Sequence, residues 1–125
     1  MQYMLLMVAE PDDAADEAVA EAQQAVSADE ADEPCWMPWS REVTARGVVI
    51  KGGARLRPAS TATTLSARDG EVLLSDGPFA ETKEQIVGYN VIECADLDEA
   101  VDTAARHPVV ALFGGRVEIR PILPD

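Results

Sequence analysis

An α+β fold, with helices on one face of a largely antiparallel sheet, is predicted by three features of this sequence. Short β-prone runs recur along the chain, two of them flank the dipeptide Asp69-Gly70, and residues at helical spacing fall in separate blocks between strands. The chain has 125 residues, 47% of them hydrophobic, which suits one domain with a real core.

"QYMLLMV", Gln2 to Val8, is a short apolar run closed by Glu10-Pro11-Asp12 and reads as a buried strand. From Asp12 the period changes. Ala15, Ala18, Val19, Ala22, Ala25 and Val26 recur at helical spacing, with Asp16, Glu17, Glu21 and Gln24 turned outward, so a helix with a thin, Ala-rich face is expected. Asp12 and Asp13 suit its start. A second helix is expected from about Pro38, where proline is tolerated in a first turn, to Gly47, a C-terminal cap.

Beyond Gly47 the pattern is strand-like. "VVIK" ends at Gly52-Gly53, and "TATTLSARDGEVLLS" predicts a hairpin around a two-residue type I′ turn. "VGYNVIECA" is the next strand. "DLDEAVDTAARHP" is a helix with Asp96 as N-cap, Glu99 at the capping-box position and Pro108 at its end; Leu97, Ala100, Val101, Ala104 and Ala105 supply its expected apolar face. "GRVEIRPIL" closes the sheet, with Val117 and Ile119 alternating against Glu118 and Arg120. This order of elements is close to the ferredoxin-like split βαβ plan, βαββαβ with an added hairpin. The open face of such a sheet needs a cover, and a homodimer is the expected one.

The net charge is −13, and residues 1–33 carry ten acids with no Lys or Arg. Such a surface repels nucleic-acid phosphates and anionic membranes, so neither is an expected partner. Met1 to Val8 lacks the basic start of a signal peptide, and no run reaches the roughly 20 apolar residues of a membrane span. Cys35 and Cys94 make no disulfide framework, and Cys94 reads as a buried reduced thiol. A cytoplasmic location is the expectation.

Candidate chemistry centres on "SDGPFAETKEQ". Asp76 before Gly77-Pro78 is a candidate general base, or else a carboxylate that caps the turn. Pro78 stiffens the corner, and Phe79 either plugs the core or lines a site. Glu81, Thr82, Lys83 and Glu84 are a solvated turn or a polar wall in which Lys83 holds an anionic substrate. Trp36, Met37 and Trp39 are the only dense cluster of large apolar residues, either a core or dimer anchor or the apolar floor of a pocket. Tyr3 and Tyr89 read first as packing residues, and Tyr89 is retained as a substrate-binding candidate. The single histidine, His107, lies near a helix C-terminus, where the dipole favours its protonated form, and is the second catalytic candidate. No His or Cys pair has metal-ligand spacing, and neither Gly-Gly pair forms a dinucleotide loop or P-loop, so no metal and no cofactor are expected.

Together, "VTARGVVIKGGARLRP", "TATT", "DGEVLLSDGPFAETKEQIVGY", "IECADLDEAVDTAARHP" and "VEIRPI" resemble the YCII-related proteins of the DGPF type, over Met1 to Val8 and about Trp36 to Ile122. The resemblance implies one YCII-related domain over 1–125 with a divergent acidic helix at about 12–33. It also implies the dimeric α/β-barrel superfamily and a pocket formed partly by the DGPF corner. Some relatives resemble proteins encoded beside sigma factors, and one wider branch includes a dehydrochlorinase with a His/Asp pair. That pair has no counterpart here, because His107 lies in the "ARHP" helix end, and Ala54 stands where many relatives resemble a Gly-Gly-Glu run.

Two functions remain open from the sequence. One is a cofactor-independent enzyme that abstracts a proton from a small organic acid or phenol, with elimination or isomerisation. The other is a non-catalytic dimeric module for a metabolite or a protein partner such as a sigma factor, for which the acidic helix would suit a basic surface.

Overall fold

The computed structural model describes residues 1–9, 36–77 and 85–124. The expected helix at 12–33, Cys35, and Phe79, Glu81 and Lys83 of the corner lie outside the described residues. The described elements run β1 (Gln2–Ala9), α1 (Trp36–Ala45), β2 (Val49–Arg55), a 3₁₀ turn (Ala59–Thr61), β3 (Thr63–Arg68), β4 (Glu71–Asp76), β5 (Gln85–Glu93), α2 (Leu97–Ala105), α3 (Pro108–Ala111) and β6 (Arg116–Pro121).

Four strands form one antiparallel sheet in the order β2-β5-β1-β6, and β3 pairs only with β4 in a separate two-stranded ribbon. With the ribbon set aside, the strand order is that of the ferredoxin-like fold. The most apolar strand, β1, lies inside, between β5 (Tyr3 opposite Ile92, Leu5 opposite Asn90) and β6 (Leu5 opposite Ile119, Met7 opposite Val117). Strand alternation sends Tyr3, Leu5 and Met7 to one face, where they are buried. On that face they join Trp39, Val43, Val48, Ile92, Cys94, Ala100 and Ala104 in one core. Met4, Leu6 and Val8 point the other way and are only half-buried.

Local chemistry explains the helix ends. α1 is described from Trp36, and the expected Pro38 falls in its first described turn. It stops in a Schellman motif: Gly47 N–H donates to Thr44 O at 3.0 Å and Val48 N–H to Val43 O at 3.1 Å. Gly47 has φ +97°, which an L side chain resists, and Val43 and Val48 make the accompanying apolar contact deep in the core. At α2 the Asp96 carboxylate accepts from Glu99 N–H at 2.9 Å, and the Glu99 carboxylate accepts from Ala95 N–H at 3.2 Å. The capping box is therefore present, displaced by one residue on its return bond.

Three expectations shift. β2 continues through Gly52-Gly53 to Arg55, with Lys51 bulged out between Ile50 and Gly52. A methyl on Gly53 would lie 2.6 Å from the Tyr89 carbonyl oxygen, so only glycine lets the two backbones approach here. α2 buries Ala100, Thr103 and Ala104, while Leu97, Val101 and Ala105 stay exposed. The small side chains bring the helix close to the sheet, and the Thr103 hydroxyl is satisfied within the helix by Glu99 O at 2.7 Å. Pro108 ends α2 as expected, but it also opens α3.

The two long helices meet through one side chain. Trp39 is 3% exposed, and its Nε1–H donates to Thr103 O at 2.9 Å. That carbonyl is among the last of α2, which lack partners inside their own helix. Outside the core, Arg106 on the rim bridges Glu42 of α1 at 2.6 Å and Asp102 of α2 at 3.1 Å. Both pairs are solvent-exposed and contribute little. Trp39→Phe is expected to cost about 2 kcal/mol or more, since it leaves a buried carbonyl without its donor and a gap beside it. Urea unfolding would show this as a lower midpoint at unchanged slope; a loss below about 0.5 kcal/mol would mean the indole bond does not join the helices.

Candidate functional site

The Asp69-Gly70 turn gives both residues positive φ, +52° and +79°, as a type I′ hairpin requires. This sets the register of β3 against β4, with Thr63 opposite Asp76 and Leu65 opposite Leu74. At the root of the ribbon the chain turns through Gly77, φ +94°, again a glycine conformation. Two bonds pin that turn: Gly77 N–H donates to Ala62 O at 2.7 Å, and the Thr64 hydroxyl donates to Gly77 O at 2.7 Å. The 3₁₀ turn beneath is closed by the Thr61 hydroxyl on Pro58 O at 2.7 Å. "TATT" and the Asp-Gly corner are thus two halves of one local structure.

Asp76 itself is exposed, and none of the described residues donates to its carboxylate. Among the described residues, the fixed part of the corner is the glycine, held through backbone and threonine. Arg55 and Arg57 lead into the same 3₁₀ turn; both are exposed, and neither forms an ion pair with another described residue. Leu56 N–H, between them, donates to Val87 O at 2.9 Å, tying this segment to β5 just beyond the corner. The sequence reading passed over these arginines. Their signal was two bases at i and i+2 in a chain with only ten.

The other candidates lie elsewhere. Tyr89 is half-buried and shares a face of the sheet with its Cα partners Leu6 and Ala54. Trp36 is partly exposed at the start of α1. Trp39 belongs to the core and has no open surface to offer a ligand, which corrects its reading as a pocket wall. A shallow groove between α1 and β2, lined by Ser40, Thr44, Gly47, Val48, Val49 and Ile50, contains no ionisable group. Cys94 is a buried free thiol, pushed up by that burial and by Glu99 nearby.

His107 is corrected most. It is the N-cap of α3, its Nδ1 accepting from Val109 N–H at 3.1 Å, and its ring meets Trp39 edge-on with centroids 4.6 Å apart. Burial lowers its pKa to about 4. A protonated ring could not accept the capping bond either, so the expected dipole-stabilised cation is replaced by a neutral one. No hydrogen bond joins it to Asp76. Because the folded pKa lies below the ordinary 6.5, the unfolded chain binds more protons in between, and stability falls as pH drops from about 6.5 towards 4. With solvent screening allowed for, the loss is about 1–2 kcal/mol. His107→Asn keeps a capping oxygen without a titrating ring, so the difference in unfolding free energy between the two proteins should shrink across that window. Parallel pH profiles for both would contradict the assignment.

Among the described residues, no three His, Cys, Asp or Glu side chains are grouped to hold a metal ion, and no helix is long and apolar enough to cross a membrane. The chain is 48% identical over 69 residues to an uncharacterised protein of Rhizobium meliloti (strain 1021), a match that spans 55% of this chain and 56% of that protein, little more than half its length. A model of the YCII-related domain matches residues 1–124, which take in both central strands, the helical layer and the Asp-Gly corner. On that match, the chain belongs to the YCII-related domain family.

Proposed function

We propose that this protein binds a small organic anion, a carboxylic acid or phenolate, at the Asp-Gly corner as a homodimer, and acts on it without a cofactor. Asp76 is the proton-abstracting base. The observation that carries the reading is an acid with no hydrogen-bond donor among the described residues, on a turn pinned to the segment that Arg55 and Arg57 lead into. The arginines suit the anion's charge, and the pinned glycine gives the acid a fixed root. Lys83, Glu81 and Phe79 follow the corner in sequence and are its further candidate contacts.

One observation favours the second function, a binding module without turnover for a metabolite or a protein partner such as a sigma factor. With His107 engaged as a cap beside Trp39, the corner lacks that second acid–base group.

A thermal-shift panel of benzoate, salicylate, chlorophenols and short aliphatic acids tests the site. A ligand at about 100 times its dissociation constant adds roughly 2.7 kcal/mol, several degrees for a chain of this size. The expected hit loses most of its shift in Arg57→Gln; Asp76→Asn still binds it but no longer turns it over. A hit that Asp76→Asn binds and that no protein turns over would select the binding module. A shift unchanged in both variants would remove the corner from consideration.

A further inference from the structure

The β3–β4 ribbon is amphipathic, and its large apolar side chains are exposed. Its register places Thr63, Leu65, Ala67, Val72, Leu74 and Asp76 on one face, while the other carries Thr64, Ser66, Arg68, Glu71, Leu73 and Ser75. Leu65 is 64% exposed, Val72 63% and Leu74 68%. A two-stranded hairpin alone in water is marginal at best, and this one pairs with no other strand among the described residues. An apolar stripe that the chain's own core leaves open calls for another surface.

We infer that the ribbon is an arm whose Leu65/Ala67/Val72/Leu74 face lies on a second copy of this chain, which closes over Asp76 at the arm's root. The occupant follows from area. The exposed parts of these side chains amount to on the order of 400 Å² per arm, and two-fold symmetry makes the contact reciprocal. Each copy then loses that area from its arm and as much again from the surface it offers, roughly 800 Å² per partner, the usual size of a stable interface. The receiving surface is the open face of the four-stranded sheet, where Met4, Leu6, Val8, Tyr89 and Val91 are half-buried and Val49 is exposed. Asp76 stands on the docking face, so the partner that covers the leucines also takes water from the carboxylate, the condition a base needs. The inference rests on the homodimer of the preceding reading and not on its ligand.

Sedimentation equilibrium separates the two. The wild type is expected to be a dimer at micromolar concentration. Leu65→Ser/Leu74→Ser should raise its dissociation constant at least a hundredfold, while Leu73→Ser, on the polar face, should change it less than threefold. A wild type that stays monomeric at high micromolar concentration overturns both the dimer and the arm. A double variant that dimerises like the wild type overturns the arm and leaves the dimer standing. Should the double variant not fold, amide exchange on the wild type decides the matter: Leu65 to Leu74 amides protected at high protein concentration and unprotected on dilution support the arm. Protection independent of concentration overturns it.

Discussion

The hydrogen bond from the Trp39 indole to the Thr103 carbonyl holds the helical layer together. It spans 64 residues of sequence, is buried, and satisfies one of the orphan carbonyls at the end of α2. The same ring packs edge-on against His107, whose other duty is to cap α3. One aromatic side chain thus fixes the distance between α1 and α2 and the start of α3. The chain has few large apolar residues to spend on such work, two tryptophans and two phenylalanines in 125 residues. The bond therefore decides more of the packing than the Arg106 ion pairs on the solvent side, whose attraction water screens.

Much of this architecture is legible in the residues because its signals are local. Asp69-Gly70 names its turn, Gly47 its cap, and Asp96 with Glu99 the start of α2, since each meets a backbone need within a few residues. The misreadings share a different cause. Which side of α2 faces the sheet depends on how closely Ala100 and Ala104 allow it to approach, so Leu97 and Val101 outside cannot be foreseen from hydrophobicity alone. His107 looked like a helix C-terminus because the turn into α3 is only two residues long. Its neutrality follows from Trp39, 68 positions away in sequence.

The candidate site was half legible. The Asp-Gly corner announces itself, and so does the hairpin before it; the hairpin's two faces come from its register. What pins the corner, the Thr64 hydroxyl and the Ala62 carbonyl, becomes visible only when β3 and β4 are laid side by side. Arg55 and Arg57 lie on the segment that leads into the 3₁₀ turn, because β2 runs beyond Gly53 to Arg55, a continuation that two glycines seemed to forbid. The rigid element there is backbone, so the acid stands on a fixed base without itself being committed to the fold.

The place of β1 in the sheet has a consequence for how the protein is made. Both of its edges pair with strands from the last third of the chain, Gln85–Glu93 and Arg116–Pro121. The most apolar of the described strands leaves the ribosome before the other five and waits longest for its neighbours. With contacts this distant in sequence, loop closure makes assembly slow, and the sheet cannot close until β6 has emerged. For that interval an unpaired hydrophobic strand is at hand for other chains, the situation in which chaperones matter. The acidic stretch that follows β1 in sequence emerges directly behind it, and its like charges repel those of another copy.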